Sequence, residues 1–551
     1  MTLDRKAEFA VYRELWKQPS QPHADVFLGY PGWPSAGFAV MGDFSGIQNF
    51  VFRPVPGAGG AARRLRSRSF RVSAYSEMIM QWCAQRLAQG QPRTLYSAGG
   101  KFLMGVSAFA DFEPELAKMQ RELDEWAWQN FGGELVFHLV SAPLVSTGIP
   151  HAALQNTMQA SRHRPLAKAL LSSGGWSENE FFQAAASGDG KCDACGMTRQ
   201  LNKNADNEEI CDGCIKDEGI GKKLPRSRFA HILSGASEDF SVLGTGLELC
   251  ERKGGDSEGE WLALGAATEG ARSWHLLRHL PAERDRALTF EDIAAISSGT
   301  RKWLGYLRID GDGAGQQFTD LQGDPRRTWA LSRLLNLFFA DTANRIVASE
   351  FQNIYPVYGG GDDLFVVGPW HQVLIFASKL REELRSVAGE DLTFSAGVSL
   401  SKPREHVLTQ ANLALRELDS AKRVAGYGRH CGRDQIRALG VTADWPTFTK
   451  LLDTAKEVTE WVEKKEIPSS FLHQLLQLHN AWRQCHKRSD GRITARLVRF
   501  KPLLYYQIER NLKPGKARDW AHSLLREGSL WPWVDFVARY AMIARRGQDK
   551  E

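Results

Sequence analysis

The stretch Tyr355–Gly368, YPVYGGGDDLFVVG, is an apolar run, three glycines, two adjacent aspartates and a second apolar run. Glycines between β-rich runs mark a tight turn, so the stretch predicts a β-hairpin with two carboxylates at its tip. Such a turn presents Asp362 and Asp363 with little side-chain bulk around them. Hard oxygen ligands beside bare backbone are what a metal-bound triphosphate requires. A solvated hairpin with acidic turn residues fits the same pattern, so the stretch does not decide alone.

The sequence around it adds a second carboxylate strand. Trp303–Asp312 reads WLGYLRIDGD, and strand alternation places Asp310 and Asp312 on one face at its C-terminal end. Helical spacing follows over Thr328–Ser349, then the hairpin, a helix over Gln372–Val387 and a strand over Leu392–Leu400. The order β-α-β-β-α-β predicts a ferredoxin-like split unit. Pairing of the first strand with the hairpin at the sheet centre brings Asp310 beside Asp362, composing a candidate two-metal cluster.

The same order occurs earlier in the chain. Phe38–Phe52 (FAVMGDFSGIQNFVF) is a strand ending in Asp43 with a Ser-Gly-Ile-Gln turn behind it. A helical stretch (Arg64–Gln89), a glycine-tipped hairpin (Thr94–Val106), a helix (Glu113–Gln129) and a strand (Glu134–Val140) complete the unit. Its hairpin has Gly99, Gly100, Lys101 and Phe102 where the other has Gly360, Gly361, Asp362 and Asp363. A cation in place of a metal ligand predicts a unit that binds phosphate without catalysing. A duplication with no ligand is the alternative.

Between the repeats lie Cys192, Cys195, Cys211 and Cys214, two C-x₂-C pairs fifteen residues apart. Thiolates so spaced occupy two corners of a tetrahedron from one tight turn, here Asp193-Ala194 and Asp212-Gly213, which predicts structural Zn²⁺. Cys83, Cys250, Cys431 and Cys485 are scattered and read as core or surface thiols. A disulfide framework is not expected, because a 551-residue chain with 43% hydrophobic residues needs no staples.

In motif order, DGDGAG, GGDD, FSAGVSL and ANLALRELDSAKRVAGYGRH resemble GGDEF diguanylate cyclases and their relatives. The chain is more narrowly similar to the large subunit of type III CRISPR effector complexes of the Csm and Cmr kind. That family has GGDD, a zinc ribbon between two palms, and a first palm whose signature GDFSGIQNF with AARRLRSRSF resembles. Here Leu364 and Phe365 follow the aspartates. The likeness covers about Phe38 to His430.

The resemblance implies an α+β chain with two ferredoxin-like palms packed face to face, a zinc-ribbon insertion and a C-terminal helical bundle. The expected boundaries are 1–35 for a lead, 36–150 for a degenerate palm and 151–300 for a linker helix and zinc region (ribbon about 190–224). The catalytic palm is expected over 301–440 and the helical domain over 441–551. The implied activity is nucleotidyl transfer that makes cyclic oligoadenylates from ATP when target RNA binds. Mg²⁺ or Mn²⁺ would sit on Asp310, Asp362, Asp363 and the Gly311 carbonyl; Asp312 is either a ligand or a strand-end polar residue. Gly360, Gly361 and Lys422 would hold one nucleotide, with Lys422 closing the helix Thr409–Val424 and Arg429 lying too far along to assign. Ser45, Gly46, Gln48, Gly99, Gly100 and Lys101 would cradle a second ATP. Implied partners are CRISPR RNA, target RNA and other type III subunits.

Many relatives begin with an HD nuclease domain. No His-Asp dipeptide occurs here and 35 residues precede the first palm, so HD nuclease activity is not expected. Two other readings stay open: a stand-alone GGDEF-like cyclic dinucleotide synthase using GTP, and a non-catalytic scaffold subunit.

Seventy basic against 64 acidic residues give +6, a mild bias compatible with RNA. Arg53, Arg63, Arg64, Arg66 and Arg68 crowd a glycine-rich stretch at 54–60, as phosphate contacts or as a solvated loop. No signal pattern and no membrane-length apolar run is seen, which predicts a cytoplasmic protein.

Overall fold

The computed structural model describes residues 5–17, 30–53, 60–87, 93–144, 148–172, 190–203, 207–254, 258–265, 268, 270–283, 286–299, 302–427, 432–486, 495–526 and 528–545. Most of the glycine-rich stretch (54–59), Arg429 and Cys431 lie outside the described residues.

Helices and sheets are mixed throughout. Phe38–Ser45, Arg93–Ala98, Lys101–Val106 and Val136–Pro143 form one antiparallel sheet in the spatial order second, third, first, fourth. Leu304–Gly311, Tyr355–Gly360, Asp363–Pro369 and Phe394–Ser401 repeat that order, and Gln435–Ala438 and Val441–Asp444 extend the sheet. Both hairpins carry a register shift at the same place, between Thr94 and Tyr96 and between Pro356 and Tyr358. The duplication therefore extends to the pairing of individual residues.

In each unit the first strand is central and apolar on both faces, because helices cover it. Leu304, Tyr306, Leu307 and Ile309 are buried. The helix Val407–Arg423 lies directly on the fourth strand: a Cβ at Gly397 would stand 2.1 Å from the Leu418 nitrogen. Only glycine permits that approach, and it fixes where the far end of the helix, with Lys422, meets the first strand.

The units interlock. The helix Ala61–Leu87 of the first packs on Tyr355–Gly360 of the second, while Pro325–Asn336 of the second packs on Arg93–Ala98. Phe52 meets Phe365 edge to face with centroids 5.0 Å apart, and the Tyr355 hydroxyl donates to the Ala62 carbonyl at 2.6 Å. Each buried aromatic contributes about 1.5–3 kcal/mol through area alone. The second helix continues through a π-helical turn, Leu337–Thr342, into Ala343–Glu350.

Four expectations change here. The lead helix Arg5–Lys17 belongs to the second unit's core, with Tyr12 edge-on to Trp329 at 5.5 Å. The helix expected as a linker after 150 breaks near Leu166 (φ 59°), and its first part, His151–Arg162, packs on the first and fourth strands of the first unit. Residues 229–273, which carry little pattern, hold a five-stranded sheet against Ala61–Leu87. Within the arginine cluster, Arg64, Arg66 and Arg68 are not in a solvated loop but on the helix Ala61–Leu87. Arg64, Arg66 and Arg68 are buried. Arg64 pairs with Glu218, Arg66 donates to the Gly221 carbonyl at 2.8 Å, and Arg68 and Arg71 share Asp217 at 2.8 Å each. They clamp the helix Asp212–Lys223 onto Ala61–Leu87. Arg53 pairs with Glu134.

The C-terminal part is helical: Trp445–Glu463, Ser469–His486, Ala495–Asn511, Lys516–Ser523 and Val534–Arg545. The Trp445 indole donates to the Phe394 carbonyl at 3.2 Å and anchors it on the second sheet. Among the described residues, no helix is long and apolar enough to cross a membrane.

Candidate functional site

The second hairpin turns at Gly361 (φ 63°) and Asp362, with Gly360 paired to Asp363. Asp310 on the first strand is directly opposite Asp363, and the Gly311 N–H donates to the Asp362 carbonyl at 2.9 Å. The expected neighbour of Asp310 was Asp362; the pairing makes it Asp363, with Asp362 one step further at the tip. Burial and the adjacent Asp363 push the Asp362 carboxyl up to about 6, against the opposing charge of Lys101. Burial raises Asp363 as well, while Arg308 and Lys101 pull it down.

Lys422 completes the group. Its ammonium donates to the Asp310 carboxylate and to the Gly311 carbonyl, the latter at 3.0 Å. A cation thus stands on two of the oxygens that the family resemblance gives to a metal. Burial, then Arg433, brings Lys422 down to about 8.

Asp312 parts from Asp310. The strand ends at Gly311, and the Asp312 carboxylate turns to the fourth strand. There it accepts from the Ser395 hydroxyl at 2.8 Å, the Thr393 hydroxyl at 3.0 Å and the Asp434 N–H at 2.8 Å. Burial raises its pKa while these donors offset the rise. Its carboxylate is thus engaged by the fourth strand and the Asp434 N–H rather than turned toward Asp310.

Sequence reasoning missed Arg308, buried two residues before Asp310, with its guanidinium 5.8 Å from the Tyr358 ring centre. A lone arginine in an apolar strand was the available signal.

In the first unit Asp43 occupies the place of Asp310, opposite Lys101. The Phe44 N–H donates to the Gly100 carbonyl at 3.1 Å, as Gly311 does to Asp362. The turn residues here are Gly99 and Gly100, with Ala98 paired to Lys101. Lys101 therefore corresponds to Asp363, and Gly100 to Asp362. Aligning the glycine pairs sets the hairpins off by one residue, because Gly360 is a strand residue while Gly99 is in the turn.

Asp43 is 2% exposed and ion-paired with Arg162, and its Oδ1 has no hydrogen-bond partner. Ser45 meets His138 Nε2 at 2.8 Å, and His138 Nδ1 meets Ser161 at 2.9 Å. Burial lowers His138 to about 4, so the ring is neutral. Gly46 has φ 87°, and a Cβ there would strike the Glu134 carbonyl at 1.8 Å. Gln48 is exposed on Ile47–Phe52. The two hairpin tips face each other: a Cβ at Gly99 would be 3.7 Å from the Gly360 carbonyl.

The cysteines converge. Cys192, Cys195, Cys211 and Cys214 are buried with their sulfurs within 4.8 Å of one another. Cys192–Cys214 is 3.9 Å and Cys195–Cys211 is 3.8 Å. A tetrahedral site with Zn–S near 2.3 Å requires S···S of about 3.8 Å. The Cys211 N–H and Arg68 donate to Cys192 and Cys214 Sγ, each at 3.3 Å. The second pair differs from expectation: Cys214 sits in the first turn of Asp212–Lys223. Among the described residues this is the one cluster of such side chains gathered that closely; the carboxylates at the hairpin are more open.

Two family models match the chain: Cas10/Cmr2, second palm domain, over residues 303–434, and Csm1 subunit domain B over 38–169. The chain is 25% identical over 419 residues to the CRISPR system single-strand-specific deoxyribonuclease Cas10/Csm1 (subtype III-A) of Thermococcus onnurineus, covering 70% of this chain and 53% of that protein. To the protein of the same description from Mycobacterium tuberculosis it is 26% identical over 440 residues, covering 70% and 52%. The chain thus spans about half the length of the curated relatives it matches. Solved Csm1–Csm4 cassettes share its fold. The one in complex with one ATP aligns at TM-score 0.68 and 20% identity over 92% of this chain and 70% of that one. The one in complex with cA4 aligns at 0.68 and 18% over 92% and 69%. The chain is therefore similar to the Cas10/Csm1 large subunit of type III CRISPR complexes, the family its motifs resemble.

Proposed function

We propose that this chain is the palm-polymerase subunit of an RNA-guided type III CRISPR complex and makes cyclic oligoadenylates from ATP when target RNA is bound. The observation that carries the reading is the cation-seeking group at the second hairpin: Asp310, Asp362, Asp363 and the Gly311 carbonyl, with Lys422 lying across two of their oxygens. The strand order of both sheets supports two ferredoxin-like palms, at about 36–150 (extended by His151–Arg162) and 301–440, with a zinc ribbon at about 190–224 and a helical domain over 441–551. CRISPR RNA, target RNA and further type III subunits are the proposed partners, in the cytoplasm.

The donor set suits Mg²⁺ or Mn²⁺, because it is all oxygen and burial raises the pKa of Asp362 and Asp363, with the Asp363 charge adding to the rise at Asp362, a cost that a divalent ion offsets. Bound there, such an ion supplies activation of a ribose 3′-hydroxyl and neutralisation of the departing pyrophosphate. The chain's own residues do the positioning. Lys422 moves from Asp310 to the triphosphate, and Gly360 and Gly361 keep the hairpin bare for its approach. The first palm, through Ser45, Gly46, Gln48, Gly99, Gly100 and Lys101, presents the acceptor ATP across the facing tips. Asp312 holds the fourth strand to the first. The buried thiols hold one structural Zn²⁺, and elemental analysis of protein purified without added metal should give close to one equivalent.

The relatives' deoxyribonuclease activity is not assigned to these residues, which contain no His-Asp dipeptide. The test is mass spectrometry of products from ATP and from GTP, with the assembled complex, with and without target RNA. Cyclic oligoadenylates dependent on target RNA are expected. A cyclic dinucleotide from GTP without RNA establishes the stand-alone synthase instead, and no product under any condition establishes the scaffold.

A further inference from the structure

The helix after the fourth strand ends on the first strand's aspartate in both units. In the second palm Val407–Arg423 brings Lys422 to Asp310. In the first, His151–Arg162 brings Arg162 to Asp43. The helices pack alike, on the first and fourth strands of their own sheets. Arg162 is thus the structural counterpart of Lys422, and nothing in its local sequence marks it.

The charges around the two aspartates are reversed. Three carboxylates, Asp310, Asp362 and Asp363, gather at the second hairpin with Lys422, and the charges of Arg308 and of Lys101 from the facing tip reach them. One carboxylate and two cations surround the first: Asp43 with Lys101, at Asp363's position, and Arg162. Asp43 itself is closed to solvent, whereas the Arg162 side chain is 42% exposed. The carboxylate therefore orients the guanidinium from beneath and leaves its outer edge free. Gly99 and Gly100 add bare backbone at the hairpin tip, where the Gly100 carbonyl accepts from the N–H of Phe44, next to Asp43. A planar guanidinium so held matches two phosphate oxygens at once, and a lysine beside it adds a point charge.

We propose that the first palm binds the triphosphate of ATP without a divalent metal, with Arg162 taking the place that the metal and Lys422 share in the second palm. This rests on the reading of the first palm as a nucleotide site. Asp43 is a positioning residue for Arg162, and Arg162 and Lys101 are the phosphate ligands. The ligand class is a nucleoside triphosphate free of Mg²⁺, recognised through its polyphosphate.

Equilibrium dialysis of radiolabelled ATP against the full chain in excess EDTA tests it. One equivalent of ATP should bind. Because Arg162→Ala alone strands a buried carboxylate, the informative variant is Arg162→Ala with Asp43→Asn, which should weaken metal-free binding about tenfold or more. Arg162→Lys should lose about threefold, keeping charge but not the fork. Asp310→Ala should retain the metal-free equivalent. No binding by wild type in EDTA, full binding by the double variant, or loss in Asp310→Ala would each overturn the proposal. If ATP binds through Arg162 yet no oligoadenylate is ever made, the proposed function fails and this site stands.

Discussion

The two repeated units, proposed above as palms, share strand order, hairpin bulge and helix packing, yet present opposite charge at one corresponding point. Asp310 faces Asp363 in the second; Asp43 faces Lys101 in the first. The fold fixes where the first-strand aspartate, the hairpin and the end of the last helix meet, because main-chain pairing and helix packing set those positions. Chemistry is then decided by a few side chains: Asp or Lys at the hairpin, Lys or Arg at the helix end. In the proposed function the first unit's arrangement takes phosphate and the second's a metal.

The comparison can be broken at its outer supports. The first palm's long helix is joined to the cysteine region through buried charge, Arg68 and Arg71 on Asp217, whereas Pro325–Asn336 relies on apolar residues such as Trp329 and Leu334. Removing one partner of a buried pair leaves the other charge unpaired, so Asp217→Ala should destabilise the chain by about 3–5 kcal/mol and reduce zinc content. Denaturant unfolding followed at the cysteine region checks this; a loss under 1 kcal/mol would show the clamp to be dispensable.

A smaller effect of opposite sign belongs to the second palm. The Asp362 carboxyl stands near 6 in the folded chain against 3.8 ordinarily, so ionised Asp362 opposes folding. Below about pH 4 it is protonated whether folded or unfolded and costs nothing. The penalty grows from there to about pH 6 and is constant above. Asp362→Asn should stabilise the metal-free chain by about 1–3 kcal/mol at pH 7 and by nothing at pH 3.5. Melting temperatures at both pH values, without divalent ions, check it. Equal gains at both would refute the electrostatic cause.

The smallest effect sharpens the comparison. Lys101→Ala should raise the ATP concentration for half-maximal rate about three- to tenfold while leaving the chemistry in place, since one exposed cation is worth about 1 kcal/mol toward a polyphosphate. Initial rates across an ATP series read this directly. Wild-type behaviour would make the first palm merely structural.

Much of this was legible in the chain. The GGDD hairpin, the paired β-α-β-β-α-β order and the cysteine quartet are local patterns with a period or a spacing. What depends on tertiary packing was not. Arg162 is one basic residue at a helix end, and only the packing of that helix brings it to Asp43. Arg64, Arg66 and Arg68 resemble any basic stretch until the helix Asp212–Lys223 covers them. Asp310 and Asp312 alternate correctly in sequence, but the strand ends between them, and Ser395, Thr393 and the Asp434 N–H draw Asp312 away. The one-residue offset between the hairpins follows from where pairing resumes after the turn, which glycine counting does not reveal.

The central claim is that chemistry belongs to the second hairpin. Its most direct test is oligoadenylate output of the assembled, target-bound complex carrying Asp362→Ala and Asp363→Ala, with assembly checked by gel filtration. The account predicts intact assembly and a fall in output of about a thousandfold or more, since the metal-holding carboxylates are gone while the packing is not. Output equal to that of wild type from an intact complex would contradict it.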